Sequence, residues 1–116
     1  MKYNQLSGHL TVQLGQFKSL VQLSLAHNQI SGPIPLSIGE LSSLNFLDVS
    51  KNQLNGTFPP SLGQLANLKT LNIGQNLLEG VVSETYFSNL IRLTRWVASG
   101  NMLSFEPNQV GFPVSM

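Results

Sequence analysis

Leucine and related apolar residues recur in one fixed frame along the chain. With x for any residue, the frame is L-x-x-L-x-L-x-x-N-x-L, and its complete copies occupy residues 20–30, 44–54 and 68–78. A fourth copy, at residues 93–103, carries Trp96 and Ala98 at two of the leucine positions. The asparagines of the frame are Asn4, Asn28, Asn52, Asn76 and Asn101, at steps of 24, 24, 24 and 25 residues. Because the step is held over five copies, the sequence predicts a stack of similar coils that bury their apolar edges against one another.

Each coil begins with alternating apolar and polar residues, which is typical of a half-buried strand. The predicted strands are Gln22–Leu25, Phe46–Val49, Thr70–Ile73 and Arg95–Ala98, paired in parallel. The asparagine after each strand is expected to turn the chain and to bond backbone groups of adjacent coils. Prolines at 33, 35, 59 and 60 exclude a helix interior on the back of the stack, so extended or short 3₁₀ segments are expected there. Recurrent tight turns are expected at Gly15, Gly39 and Gly63.

The predicted fold is an α/β-type repeat solenoid, with a parallel β-sheet on the concave face and extended or 3₁₀ segments on the convex face. Its units are an incomplete first coil at 1–19, coils at 20–43, 44–67 and 68–92, a partial coil at 93–103 and an irregular tail at 104–116. The tail residues available to cover the last coil are Phe105, Val110, Phe112 and Val114. The chain starts inside a repeat and lacks both an apolar leader and a run of about 20 apolar residues. We therefore expect it to be an internal segment of a longer protein.

Composition narrows the classes of function. Only 9% of the residues are charged and the formal net charge is +1, whereas a typical soluble domain has about 25% charged residues. The six lysines and arginines are scattered, which argues against binding to nucleic acid or to an anionic membrane surface. The chain has no cysteine, so it has no disulfide, thiolate ligand or thiol nucleophile. No catalytic, phosphate-binding or metal-binding motif is present, and we expect neither an enzyme nor a cofactor.

The repeat unit resembles the plant-specific leucine-rich repeat. Its frame continues as G-x-I-P-x-x-L-G-x-L, which residues 56–65 match as Gly-Thr-Phe-Pro-Pro-Ser-Leu-Gly-Gln-Leu. Residues 80–90 and the Ala-Ser-Gly-Asn run at 98–101 are similar to a narrower group, the plant receptor-like proteins of the fungal-xylanase-receptor and apple-scab-resistance type. That resemblance implies an ectodomain segment on the extracellular side of the plasma membrane. It also implies a protein or peptide ligand, defence signalling, and a co-receptor kinase reached through the parent protein.

Other classes compete with this interpretation. The segment is also compatible with the ectodomain of a leucine-rich-repeat receptor kinase. A secreted cell-wall inhibitor of the polygalacturonase-inhibitor type is a further alternative. That class implies a longer stack of coils with cysteine-containing caps, and this chain has neither the caps nor the length. An enzyme is the least favoured alternative, because the repeat carries no catalytic motif.

The strand register predicts which side chains face outward on the concave side, the default ligand surface of a solenoid. These are Gln22, Ser24, His27, Phe46, Asp48, Lys51, Thr70, Asn72, Gln75, Arg95 and Val97. The same register places Val21, Ala26, Asn45, Ser50, Lys69, Gly74, Thr94, Ser99 and Gly100 on this side. Phe46 and Arg95 belong to classes that are enriched at interface hot spots. Asp48 and Lys51 are expected to form a surface ion pair rather than an acid–base couple.

The sequence also offers one candidate modification site, at Asn55. Asn55-Gly56-Thr57 matches the acceptor pattern for N-glycosylation, which is Asn, any residue except proline, then Ser or Thr. A triplet this short also arises by chance, so the pattern alone does not indicate that the chain is secreted.

Overall fold

The computed structural model describes residues 6–106, which fold into short strands and 3₁₀ helices. The strands are β1 (Ser7–His9), β2 (Gln22–Ser24), β3 (Gln29–Pro33), β4 (Phe46–Asp48), β5 (Gln53–Asn55), β6 (Thr70–Asn72), β7 (Glu79–Ser83), β8 (Arg95–Val97) and β9 (Met102–Glu106). The 3₁₀ helices are Val12–Gln16, Leu36–Glu40, Pro60–Gln64 and Glu84–Phe87. No α-helix occurs in residues 6–106, so the expectation of extended and 3₁₀ segments behind the sheet is confirmed.

The front of the stack is a four-stranded parallel sheet in the order β2-β4-β6-β8, which we call the front sheet. Its register places Leu47 between Leu23 and Leu71. The predicted parallel strands are confirmed, although each ends one residue earlier than predicted. They end early because a residue with positive φ, three positions beyond each strand, turns the chain out of the sheet. These residues are His27 (φ 62), Lys51 (φ 57), Gln75 (φ 54) and Gly100 (φ 79).

Further strands, which the sequence did not predict, run along the side of the stack. One parallel sheet has the order β1-β3-β5, and a second consists of β7 and β9. The two are linked where the Leu77 N–H donates to the Leu54 carbonyl at 2.7 Å. We call both together the lateral sheets. Glycine and proline are depleted in strands, and these segments form strands only because stacked coils supply the hydrogen-bonding partners.

The predicted irregular tail begins too early in the chain. Met102–Glu106 is strand β9, so residues 104–106 belong to the last coil and pair with residues 81–83 of β7. Phe105 is buried, and its ring centroid lies 5.7 Å from that of Trp96. Phe105 therefore covers the last coil as expected, whereas Val110, Phe112 and Val114 lie outside the described residues.

The core is a continuous column of leucines that is joined by a cluster of aromatic rings between residues 58 and 105. Leu47 and Leu71 are fully buried in the middle of the column. Further along, Trp96 packs edge-to-face against Phe87, with ring centroids 4.7 Å apart, and against Phe58 at 6.2 Å. Tyr86 stacks on Phe58 at 5.9 Å. Large rings thus occupy the part of the stack where the sequence departs from the leucine frame.

The glycines on the back of the coils serve a different purpose from the predicted tight turn. Gly39 and Gly63 have no positive φ, but each lies against the backbone of the next coil. A Cβ on Gly39 would lie 2.6 Å from the carbonyl oxygen of Ser61. On Gly63 it would meet the carbonyl oxygen of Tyr86. A side chain is therefore excluded by the close approach of neighbouring coils.

The recurring asparagines connect successive coils. The Asn52 Oδ1 accepts a hydrogen bond from the Ile30 N–H at 3.0 Å. Its Nδ2 donates to the carbonyls of Leu25, Val49 and Ser50 at 2.9, 3.1 and 3.1 Å. Asn28, Asn76 and Asn101 make the corresponding bonds in their own coils. Asn4 lies outside the described residues. We call the four described residues the asparagine ladder.

Candidate ligand-binding face

One row of side chains crosses the front sheet in strict register. Gln22, Phe46, Thr70 and Arg95 are direct partners on the four neighbouring strands. Since parallel strands are about 4.8 Å apart, the row spans about 14 Å. Gln22 and Arg95 are exposed at its two ends, while Phe46 and Thr70 are half-buried between them. The row brings an apolar ring, two hydrogen-bonding groups and a cation into one line.

A second row lies two residues further along each strand. Its members are Ser24, Asp48, Asn72 and Val97, again as direct register partners. The Asp48 Oδ1 accepts hydrogen bonds from the Ser50 N–H at 3.0 Å and from the Ser50 Oγ at 2.6 Å. The Asn72 Oδ1 accepts from the Gly74 N–H at 3.0 Å. These two side chains therefore fix the turns after their strands, and only part of their hydrogen-bonding capacity faces outward.

The expected ion pair between Asp48 and Lys51 is wrong for this structure. Among the described residues, the ion pair that forms joins Lys18 to Glu40 at 3.5 Å on the exposed surface. The Asp48 carboxylate is engaged by Ser50, which is only two residues away. Lys51 adopts φ 57 and remains exposed, so its backbone turns away after the strand.

A third row lies where the chain leaves the sheet, at His27, Lys51 and Gln75. All three adopt the left-handed conformation, which costs an ordinary side chain about 1–2 kcal/mol. Their N–H groups donate to the next coil, as Lys51 does to the Gly74 carbonyl at 3.0 Å. Sequence reasoning missed this conformation. The one indication of a left-handed conformation in the sequence was Gly100, a glycine at the matching position of the coil that follows Gln75.

Three residues that the register placed outward are buried. Ala26 is 2% exposed because it precedes the turn, where its carbonyl accepts from the Asn28 Nδ2 at 3.2 Å. Ser50 is 7% exposed because it is bonded to Asp48. Gly74 is buried beside Asn72. The front face accordingly has fewer accessible positions than predicted.

A neighbouring row adds charge at one end of the face. The row consists of Val21, Asn45, Lys69 and Thr94, one residue from each coil. From Asn45 onward, the N–H of each residue donates to the carbonyl of the one before it, at 2.8, 2.8 and 2.9 Å. Lys69 and Arg95 are both exposed, and the Arg95 N–H donates to the Lys69 carbonyl at 3.1 Å. The end of the front face formed by β6 and β8 thus carries two adjacent cationic residues.

Residues 6–106 contain no group of three or more His, Cys, Asp or Glu side chains that could hold a metal ion. In the same residues, no helix is long and apolar enough to cross a membrane.

The comparisons with known proteins agree with this architecture. Residues 19–41 and 43–65 match the family model of the leucine-rich repeat. The chain therefore carries leucine-rich repeats and has the corresponding solenoid fold, with the front sheet on its concave side. A comparison with curated proteins found no match.

Plant receptor ectodomains are among the similar solved structures. The BIR2 ectodomain from Arabidopsis thaliana is 37% identical, with a TM-score of 0.80, over 84% of this chain and 51% of that chain. A chain of the BIR3–SERK2 complex from Arabidopsis thaliana is 34% identical, with a TM-score of 0.78, over 99% and 57%. The ectodomain of the Arabidopsis receptor kinase HAESA, in complex with an extended IDA peptide hormone, is 26% identical, with a TM-score of 0.85, over 88% and 17%.

These comparisons also show how much of each similar protein this chain covers. It spans about half the length of the BIR2 and BIR3–SERK2 chains and less than a fifth of the HAESA ectodomain. The BIR2 and HAESA structures are of receptor ectodomains, and a pollen receptor kinase is also among the similar structures. Protein and peptide partners are named for several of them.

Proposed function

We propose that this chain is a non-catalytic recognition segment of a plant leucine-rich-repeat receptor-like protein, and that its front sheet binds a protein or peptide ligand. The setting is perception at the outer side of the plasma membrane, within defence signalling. A complex with a peptide hormone for one similar ectodomain, and with a second protein for another, supports this class of partner.

The single observation that carries the proposal is the in-register row Gln22–Phe46–Thr70–Arg95. Its side chains are free to face a ligand because Leu47 and Leu71 are buried in the core on the opposite side of the strands, and Leu23 packs against that core. An extended peptide laid across the strands would meet a new side chain about every 4.8 Å.

The chemistry of the row suits a polypeptide. Gln22 and Thr70 offer both donors and acceptors for backbone amides. Half-buried Phe46 offers an apolar surface at low cost in conformational entropy. Arg95, with Lys69 beside it, presents donors that fit a carboxylate. We therefore orient the ligand with a carboxylate over β6 and β8 and an apolar side chain over β4.

The ectodomain of a receptor kinase is the second candidate, since the ectodomains of receptor kinases are among the similar structures. It would use the same front sheet in the same way. The inhibitor class gains no support from the similar structures reported above.

A peptide display library, selected on the immobilised full chain, tests the proposal. The counter-selection uses the double variant Ser24→Arg, Thr70→Arg, which fills the front face and leaves every core leucine in place. Circular dichroism establishes that this variant is folded. We expect peptides that are enriched on the wild type and depleted on the blocked variant. Equal enrichment on both proteins, or no enrichment on either, contradicts the proposal.

A further inference from the structure

We infer that Asn55 carries an N-linked glycan that covers the lateral sheets and leaves the front sheet free. The inference rests on the proposed function, because the modification requires passage through the secretory pathway. Asn55-Gly56-Thr57 is the single acceptor triplet in the 116-residue sequence. The structure adds what the triplet alone lacks, which is a position where the modified residue fits the folded chain.

The local geometry presents the Asn55 side chain to solvent. Asn55 is the last residue of β5, where Gln53 and Asn55 are exposed and Leu54 between them is fully buried. Gly56 follows with φ +77, and a Cβ there would have Pro33 as its nearest neighbour at 3.5 Å. This turn leaves Thr57 exposed as well. Both residues that define the acceptor are therefore accessible in the folded protein.

Other asparagines of the chain show the contrast. Asn28, Asn52 and Asn76 are buried, and their amide nitrogens donate to backbone carbonyls. A sugar on any of these nitrogens would break the asparagine ladder. None of the three is followed at the second position by serine or threonine. Asn55 occupies the exposed position three residues after the Asn52 ladder position, where a large substituent displaces no structural bond described for residues 6–106.

The surroundings explain what the glycan would do. Leu77 lies beside β5, because its N–H bonds to the Leu54 carbonyl, and its side chain is 54% exposed. Val81 and Met102 are 55% and 68% exposed on the neighbouring strands β7 and β9. The first sugars on Asn55 would lie over this apolar surface. The front sheet is formed by other strands, so a ligand and the glycan occupy different faces.

The chemistry is a group transfer from a lipid-pyrophosphate-linked oligosaccharide, which is the donor class in the secretory pathway. The Asn55 Nδ2 forms a bond to the anomeric carbon of the first sugar. The bond between that carbon and the pyrophosphate oxygen breaks, and the lipid pyrophosphate leaves. One proton is lost from the amide nitrogen, so the product remains an uncharged amide.

The test routes the full chain, fused to a secretory signal, through plant cells and analyses the secreted protein. We expect a gel mobility shift that disappears after treatment with a peptide-N-glycosidase active on plant glycans. Mass spectrometry should then find aspartate at position 55. Thr57→Ala should abolish the shift, whereas Thr57→Ser should retain it because serine also satisfies the acceptor pattern. Asn67→Gln changes an exposed asparagine outside any acceptor triplet and should leave the shift unchanged.

Secreted wild-type protein with unmodified Asn55 overturns this inference, and so does a shift that survives Thr57→Ala. Neither result affects the proposed function, which is measured separately as peptide selection on the front sheet. Conversely, a glycan at Asn55 on a protein whose front face selects no peptide supports the inference while contradicting the proposed function.

Discussion

Replacing Asn52 with alanine removes one rung of the asparagine ladder, and the structure allows the cost to be estimated bond by bond. The three carbonyls that accept from Asn52 each keep another donor. Leu25 still receives the Asn28 amide, Val49 the Asn76 amide and Ser50 the His27 N–H. The buried Ile30 N–H loses Asn52 Oδ1, its partner in this structure.

One orphaned buried donor costs about 1–3 kcal/mol, and the lost bonds to still-satisfied carbonyls add about 1 kcal/mol. We therefore expect Asn52→Ala to lower the free energy of unfolding by about 2–4 kcal/mol. The matched control is Asn67→Ala. Asn67 is exposed and makes one bond, to the Ser42 carbonyl at 3.3 Å. Its loss should cost about 0.5 kcal/mol or less.

Urea unfolding provides the assay, because Trp96 is the one tryptophan of the chain and is 1% exposed in the core. Fluorescence and far-UV circular dichroism must give coincident transitions before a two-state free energy is taken. The double variant Asn52→Ala, Asn76→Ala adds a sharper requirement. Val49 then loses both amide donors, at 3.1 Å each. A coupling of about 1–2 kcal/mol is expected. Equal effects of Asn52→Ala and Asn67→Ala, or strict additivity in the double variant, would refute the ladder argument.

The other predictions concern packing and backbone, and the same urea assay measures them. Leu47→Ala should cost about 2–5 kcal/mol because the side chain is fully buried, whereas a cost below about 1 kcal/mol would mean that the strand register is wrong. Gly39→Ala should cost about 1–3 kcal/mol, since its Cβ would lie 2.6 Å from the Ser61 carbonyl oxygen, and an unchanged midpoint would contradict the close approach. Lys51→Gly should be neutral or stabilising by up to about 1 kcal/mol at φ 57, while Lys51→Val should destabilise, and the reverse order would exclude the left-handed turn.

The front sheet could be predicted from the sequence because its signal is local and repeated. Alternation around Leu23, Leu47 and Leu71, together with a fixed step, specifies both the strand and its neighbour. The 3₁₀ segments followed in the same way from prolines that exclude a helix interior. These are properties that each coil carries within itself.

The lateral sheets and the role of Gly39 could not be predicted, because they depend on what the next coil supplies. Residues such as Gly32 and Pro33 have low strand propensity and pair only when a neighbouring coil lies beside them. From the sequence alone, Gly39 suggested a tight turn. Its close approach to Ser61 exists only once neighbouring coils are stacked, so it could not be predicted from one coil.

The candidate site was predicted in its register but not in its side-chain bonding. The strand frame was sufficient to place Phe46 beside Thr70 and Thr70 beside Arg95. The bond from Ser50 to Asp48 depends on the turn after the strand, where Lys51 takes a left-handed conformation although only Gly100, in another coil, carries a glycine at that position. Turn geometry therefore decided which predicted front residues remain available to a ligand.

Isothermal titration calorimetry with a selected peptide tests most directly the claim that the front sheet binds the ligand. The affinity of the wild-type chain is compared with that of three single variants. Phe46→Ala and Arg95→Ala lie on the front row, whereas Leu36→Ala lies on the 3₁₀ side, where Leu36 is 69% exposed. If the front sheet is the recognition surface, each front variant should weaken binding by about tenfold or more, which corresponds to about 1.4 kcal/mol. Leu36→Ala should then bind as the wild type does. Unchanged affinity in both front variants, or an equal loss in Leu36→Ala, would contradict the account.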